Sequence, residues 1–148
     1  MCFLIILLSI VSCDGIKLIG KYDAKIDEGI EAVSKDCSII FVKIDNNIDD
    51  STDYSYKFFK NDYIKIEAEL KSILTRANGL SNYKIIIQQI EILQISIKTL
   101  QKDHQSGFVS SKEINIEELK NTIKIDEKNI VKNISNILAL QEKLKRKI

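Results

Sequence analysis

The stretch Asn82–His104, NYKIIIQQIEILQISIKTLQKDH, decides the fold. Isoleucine is β-branched, and by propensity alone a run so rich in it favours a strand. Spacing says otherwise. Ile86, Ile90, Leu93, Ile97, Leu100 and His104 recur at intervals of four and three, which puts them on one face of a helix. Strict apolar–polar alternation is never sustained.

The same rhythm recurs on both sides. From about Tyr22 to Ile48 the stripe is Ile26, Ile30, Val33, Cys37, Ile40, Ile44 and Ile48. Within it, Cys37–Ile44 clusters β-branched residues and is the place where a helix is least favoured. From about Tyr54 to Ala77 the stripe is Phe59, Tyr63, Ile66, Leu70, Ile73 and Ala77. From about Ser111 to Lys147 it is Ile116, Leu119, Ile123, Ile130, Ile134, Ile137 and Leu144.

Punctuation separates these segments. Asn46, Asn47 and the run from Asp49 to Asp53 form the first break, and Thr52 or Asp53 can cap the second helix. Asn78-Gly79 reads as a C-cap that tolerates positive φ, and Ser81 can cap the third helix. Ser106-Gly107 is the next break. Ser110 with Glu113 makes a capping box, and Val109 can staple to Ile114. The chain has no Pro and five Gly, so little interrupts long helices. With 148 residues, 45% of them hydrophobic, it can bury the core of one domain.

The expected fold is all-α: an up-down antiparallel four-helix bundle, because short loops set consecutive helices antiparallel. The second and third helices, at about 24 residues, are roughly 36 Å long. The fourth is longer, so its end QEKLKRKI (141–148) is expected to overhang, with Lys and Arg suited to a helix C-terminus.

The chain begins MCFLIILLSIVSCDGIK (1–17). Phe3–Val11 is apolar except for Ser9. That is too short for a membrane span of about 20 residues, and it suits the hydrophobic part of a signal peptide. Ile10, Val11 and Ser12 before Cys13 resemble the bacterial lipobox. The resemblance implies diacylglycerol on the Cys13 thiol, cleavage before Cys13 and acylation of the new amino group. Small residues let a protease close on the backbone, and only cysteine supplies the nucleophilic sulfur. Several acyl chains at ~0.8 kcal/mol per buried CH₂ would then hold the protein on a membrane.

The departure from the pattern is at the front, where Cys2 and Phe3 stand in place of the usual Lys or Arg. The alternatives are an ordinary cleaved signal, or a buried strand with a chance cysteine. The domain expectation is a signal peptide at 1–12, a lipidated Cys13 and tether at 13–20, and a helical bundle at 21–148. Asp14 resembles the residue that keeps such proteins on the inner membrane in enteric-type bacteria, which leans the expected address that way. Maturation would leave Cys37 as the sole thiol, so no intrachain disulfide is expected.

Lys21-Tyr22-Asp23-Ala24-Lys25-Ile26-Asp27-Glu28-Gly29-Ile30 follows closely on the lipobox. With Arg76-Ala77 and Leu93, Leu100 and His104, it resembles a set of small, largely uncharacterised bacterial envelope lipoproteins. Those begin the mature part with a Tyr-Asp-x-x-x-Asp helix. The resemblance implies a lipid anchor, an envelope address facing the periplasm and an all-helical domain; it implies no activity.

The chemistry-bearing residues lead away from an enzyme. Asp45-x-Asn47-x-Asp49 starts like a calcium loop, but Asp50 and Tyr56 stand where Gly and a bidentate Glu are needed. His104 is the one histidine, too few for a zinc or di-metal site, and reads as a packing residue that satisfies one backbone carbonyl. Cys37 lies in the core stripe and reads as a small inert apolar group, with a reactive thiol as the alternative. Asp23 and Asp27 share a helix face; near a helix N-terminus they complement its dipole, and acid–base work would need a cleft. No metal and no cofactor are expected.

Among Tyr54, Tyr56, Phe58, Phe59 and Tyr63, the pair Phe59 and Tyr63 should pack inward. Tyr22, Asp23, Asp27, Tyr56 and Phe58 are the candidate partner surface. With 22 basic and 21 acidic residues, the chain lacks the basic surplus that nucleic acid requires. The expectation is a non-enzymatic envelope lipoprotein acting by contact, with the membrane and an envelope protein as partners. The alternative is a binding module that takes a small apolar or peptide ligand between its helices.

Overall fold

The computed structural model describes residues 20–48, 55–108 and 116–147. The signal peptide, Cys13, the helix starts expected at Tyr54 and Ser111, and the caps assigned to Thr52, Asp53, Ser110 and Glu113 with the Val109–Ile114 staple lie outside those residues. Four helices make up the described chain: α1 (Ala24–Asn47), α2 (Tyr56–Asn78), α3 (Lys84–Gln105) and α4 (Ile116–Lys145). They form a ring in which α1 touches α2 and α4, and α3 touches α2 and α4. Contacts between them run antiparallel. Asp23 at the start of α1 meets Arg76 at the end of α2, and Lys43 near the end of α1 meets Asp62 near the start of α2. This is an up-down four-helix bundle.

The stripes read from the spacing are the core. Every stripe position of α1, α2 and α3 is buried, from Ile26 to Ile48, Phe59 to Ala77 and Ile86 to His104. Cys37–Ile44 is helical throughout despite its β-branched residues. Phe41 is buried there as well as Ile40, so this part of α1 presents a broad apolar face to its neighbours. Burial over that face outweighs a local strand preference of a few tenths of a kcal/mol per residue.

Differences appear at the helix ends. Gly79 caps α2 with φ −79, and the positive φ falls on Asn82, at 63. Asn enters the left-handed region more cheaply than most residues, and the turn brings the Tyr83 ring inside. Consequently α3 starts at Lys84 behind Tyr83, and Ser81 does not cap it. At the other end of α3, Gly107 has φ 78; its N–H reaches the His104 carbonyl at 3.1 Å, and the Phe108 N–H reaches that of Asp103 at 2.7 Å. These two bonds make a Schellman ending at the Ser106-Gly107 break. Nor does the end of α4 overhang: Gln141 and Leu144 are buried, whereas Ile116, placed in the stripe, is half exposed at the other end of the helix.

Gly29 sits inside α1 where Ile73 and Glu69 of α2 press against it. A Cβ there would lie 2.8 Å from Ile73 Cγ1 and 3.1 Å from Glu69 Oε1. Gly29→Ala gains about 1 kcal/mol of helix propensity but overpacks by roughly 1–3 kcal/mol, so a net loss of about 1 kcal/mol is expected in urea unfolding. Combining it with Ile73→Ala should cost less than the two separate losses added together; strict additivity would refute the close approach.

Candidate functional site

One end of the bundle holds the segment that enters it. Asp23 is the N-cap of α1: its Oδ1 accepts from the Lys25 and Ile26 N–H groups at 3.0 and 3.1 Å. The same carboxylate takes a fork from Arg76, Nε to Oδ1 at 2.7 Å and Nη2 to Oδ2 at 2.8 Å. Two helix ends are thus tied through one side chain. The Arg76 guanidinium holds the Asp23 carboxyl below its ordinary range, and Asp23 in turn raises Arg76. Tyr22 donates its hydroxyl to Asp27 Oδ2 at 3.0 Å, which pushes the phenol up. Lys145, from the last turn of α4, lies 5.6 Å over the Tyr22 ring. The Tyr83 hydroxyl donates to the Lys21 carbonyl, and a Cβ on Gly20 would strike the Tyr83 ring at 2.4 Å. Residues 20–23 are therefore gripped by α2, the turn before α3, and α4 together.

Tyr22, Asp23 and Asp27 come together as the spacing suggested, but each is engaged within the fold. Asp23 and Asp27 do different work, one capping and clasping, the other holding a phenol. Beneath them lies a residue the stripe reading passed over. Gln141 is fully buried; it is close enough to the Tyr83 hydroxyl to temper the rise that burial causes there, yet its amide oxygen and nitrogen have no hydrogen-bond partner.

The opposite end carries an aromatic cluster around His104. The Tyr63 hydroxyl and His104 Nδ1 stand 2.9 Å apart in the core. Phe108 stacks on the imidazole and Phe59 tilts against it, each with centroids 4.8 Å away. His104 packs, as its phase implied, but this partner is a phenol. Burial raises the Tyr63 hydroxyl far above its ordinary value. Tyr56 belongs to this cluster: its ring stacks on Tyr63 at 5.7 Å, and its hydroxyl accepts from Gln101 Nε2 at 2.9 Å. The candidate surface is thereby divided, since Tyr56 turns inward while Phe58 stays 63% exposed.

Asp126 is the second residue the stripe reading missed. It occupies a core position of α4 at 7% exposure, and its Oδ2 has no hydrogen-bond partner. Burial, with Asp103 of α3 adding to it, lifts the carboxyl from 3.8 to about 6. Cys37 is buried in α1 and its thiol is pushed up to about 12, mainly by burial, so it is protonated and unreactive at neutral pH. Asp45 and Asn47 lie in the last turns of α1, not in a loop. Among the described residues no three His, Cys, Asp or Glu side chains converge as a metal would need, and no described helix is long and apolar enough to cross a membrane.

Shallow hollows lie on the outside of the described residues. A groove of about 240 Å³ runs along the α1–α4 seam, floored by Phe41, Ile48 and Ile123. A wider dish of about 550 Å³ lies beside the α2–α3 turn, around Leu80, Tyr83 and Ile87. Compared with protein-family profiles, with curated proteins and with solved structures, the chain matches none.

Proposed function

We propose that the chain is a lipid-anchored helical module of a bacterial cell envelope, held at Cys13 and facing the periplasm, that acts by contact and not by catalysis. Asp14 leans the address toward the inner membrane. The observation that carries this reading is the grip on residues 20–23 at one end of the bundle. An anchor on the segment before Gly20 stands the bundle on that end and turns the other end outward. Phe58, exposed in the first turn of α2, lies at the outward end. An aromatic ring left in water at a fixed height is a natural contact for an envelope protein.

Photo-crosslinking tests this. A benzophenone side chain at Phe58 is expected to give a discrete protein adduct in cells, and one at the equally exposed Ile95, midway along α3, is not. Equal adducts from both sites, or none from Phe58, would contradict contact through the outward end.

The groove on the α1–α4 seam favours a second reading. Its apolar floor and its rim of Asp45, Lys120 and Glu127 suit one apolar side chain of a peptide, flanked by charge.

A further inference from the structure

We infer that the gripped end of the bundle is a cationic footplate that rests on an anionic bilayer surface. This rests on the anchored reading above and adds how the module stands on its membrane.

The charge is there by construction. Helices α1 and α3 begin at this end and α2 and α4 finish there, which gathers Lys21, Lys84, Lys143, Lys145 and Lys147, all exposed. Of the acidic groups beside them, Asp23 is held by Arg76, Glu28 by Lys25 at 2.7 Å and Glu142 by Arg146 at 2.9 Å. Asp27 has the Tyr22 phenol instead of a cation, and Glu31 lies a turn further in. What faces outward is therefore an excess of ammonium groups. The whole chain carries a net charge of only +1, so this surplus is balanced elsewhere. Toward the opposite end Asp45, Asp62, Asp103, Glu117 and Glu118 stand among Lys43, Lys57, Lys60, Lys102 and Lys120, so that end carries no such surplus. The surplus belongs to the gripped rim, and a negative surface would orient the molecule through it.

The reach is right as well. Gly20 is wedged against the Tyr83 ring and the Ser81 carbonyl, so the described chain enters at this end. Seven residues, 14–20, separate it from Cys13, and fully extended they span about 25 Å. A lipid on Cys13 would hold the lysines within that distance of the headgroups. Lys84 borders the open dish beside the α2–α3 turn, and the five lysines are spread around the rim and do not converge on one hollow. Flexible stems bearing point charges fit a fluid layer of phosphodiesters better than they fit one fixed ligand.

Lysine footprinting of the full lipid-modified chain tests the inference. The chain is reconstituted into phosphatidylcholine vesicles, or into vesicles that also contain phosphatidylglycerol. Each sample is pulsed with a membrane-impermeant amine acylator, and peptides are read by mass spectrometry. On the anionic vesicles Lys21, Lys84, Lys143 and Lys147 should label roughly fivefold more slowly than on the neutral ones, with Lys57, Lys60 and Lys102 unchanged. High salt should abolish the difference. Equal labelling on the two vesicles, with the chain still floating with both, overturns the footplate and leaves the anchor standing. Equal protection of Lys57 and Lys102 overturns it too, since the bundle would then lie on its side. Protection by glycerol phosphate in solution would replace the bilayer with a free phosphate site. A chain that floats with neither vesicle refutes the anchor and the footplate together.

Discussion

Replacing Asp126 by leucine should raise the stability of the bundle at pH 7 by about 2–3 kcal/mol, a gain for a change in the middle of a core. The expectation follows from where the carboxyl sits. It is 7% exposed, one oxygen lacks a partner, and Asp103 adds repulsion. In the unfolded chain the group ionises near 3.8 and in the fold near about 6, so the folded state binds the proton more tightly. Between those values the folded chain carries more protons than the unfolded one, and stability falls as pH rises. The penalty is absent below about 3.8 and fully present above about 6. Leucine removes the charge and fills the space. Asn keeps the shape without the charge and should abolish the slope in that window. Asp23 has the opposite sign: Arg76 holds its carboxyl low, so the stability it contributes at neutral pH is lost only as pH drops through that lowered value. Urea melts of the native chain, Asp126→Leu and Asp126→Asn across pH 4 to 7.5 separate the two. A fall in stability on Asp126→Leu would show that the carboxylate has a partner that stabilises it, and an unchanged slope in Asp126→Asn would show that another group produces the slope.

Asp126 and Gln141 also show where the sequence was legible and where it was not. The apolar stripes of α1, α2 and α3 were readable residue by residue, because burial of one face is what a 3.6-residue period expresses. In α4 the reading stepped from Ile123 to Ile130 and from Ile137 to Leu144. Each gap of seven needs one more inward position, and Asp126 and Gln141 occupy them. A search for apolar letters passes over polar residues in phase, although the gap itself carried the signal. Turns were less readable. Gly79 and Asn82 both tolerate positive φ, and which of them adopts it depends on where the Tyr83 ring must go, a tertiary fact. The same limit applied to Tyr56, whose inward turn depends on His104 and Gln101 of another helix. At the gripped end, Asp23 was legible as a helix-start acid, but its clasp with Arg76 joins residues 53 positions apart, and no local pattern encodes that.

Cys13→Ser should shift the protein from the membrane fraction to the soluble periplasmic fraction almost completely. The bundle itself should be unaffected, because its described core begins at Ile26 and its grip at Gly20. Serine cannot form the thioether, so the acyl chains that would supply the binding free energy are never attached. Loss of the anchor should also abolish the Phe58 adduct, because the proposed contact requires the bundle to stand on its membrane end. Cys37→Ser provides the control: it alters a buried thiol and leaves the address unchanged. Retention of Cys13→Ser on the membrane would mean that something other than a lipid at this sulfur holds the chain.

The most direct measurement is the intact mass of the mature protein extracted from cell membranes, with fragmentation of its amino terminus. A chain that starts at Cys13 and carries diacylglyceryl and acyl groups on that residue is the predicted result. A chain that still starts at Met1, or one cut nearby with an unmodified Cys13, would contradict the account.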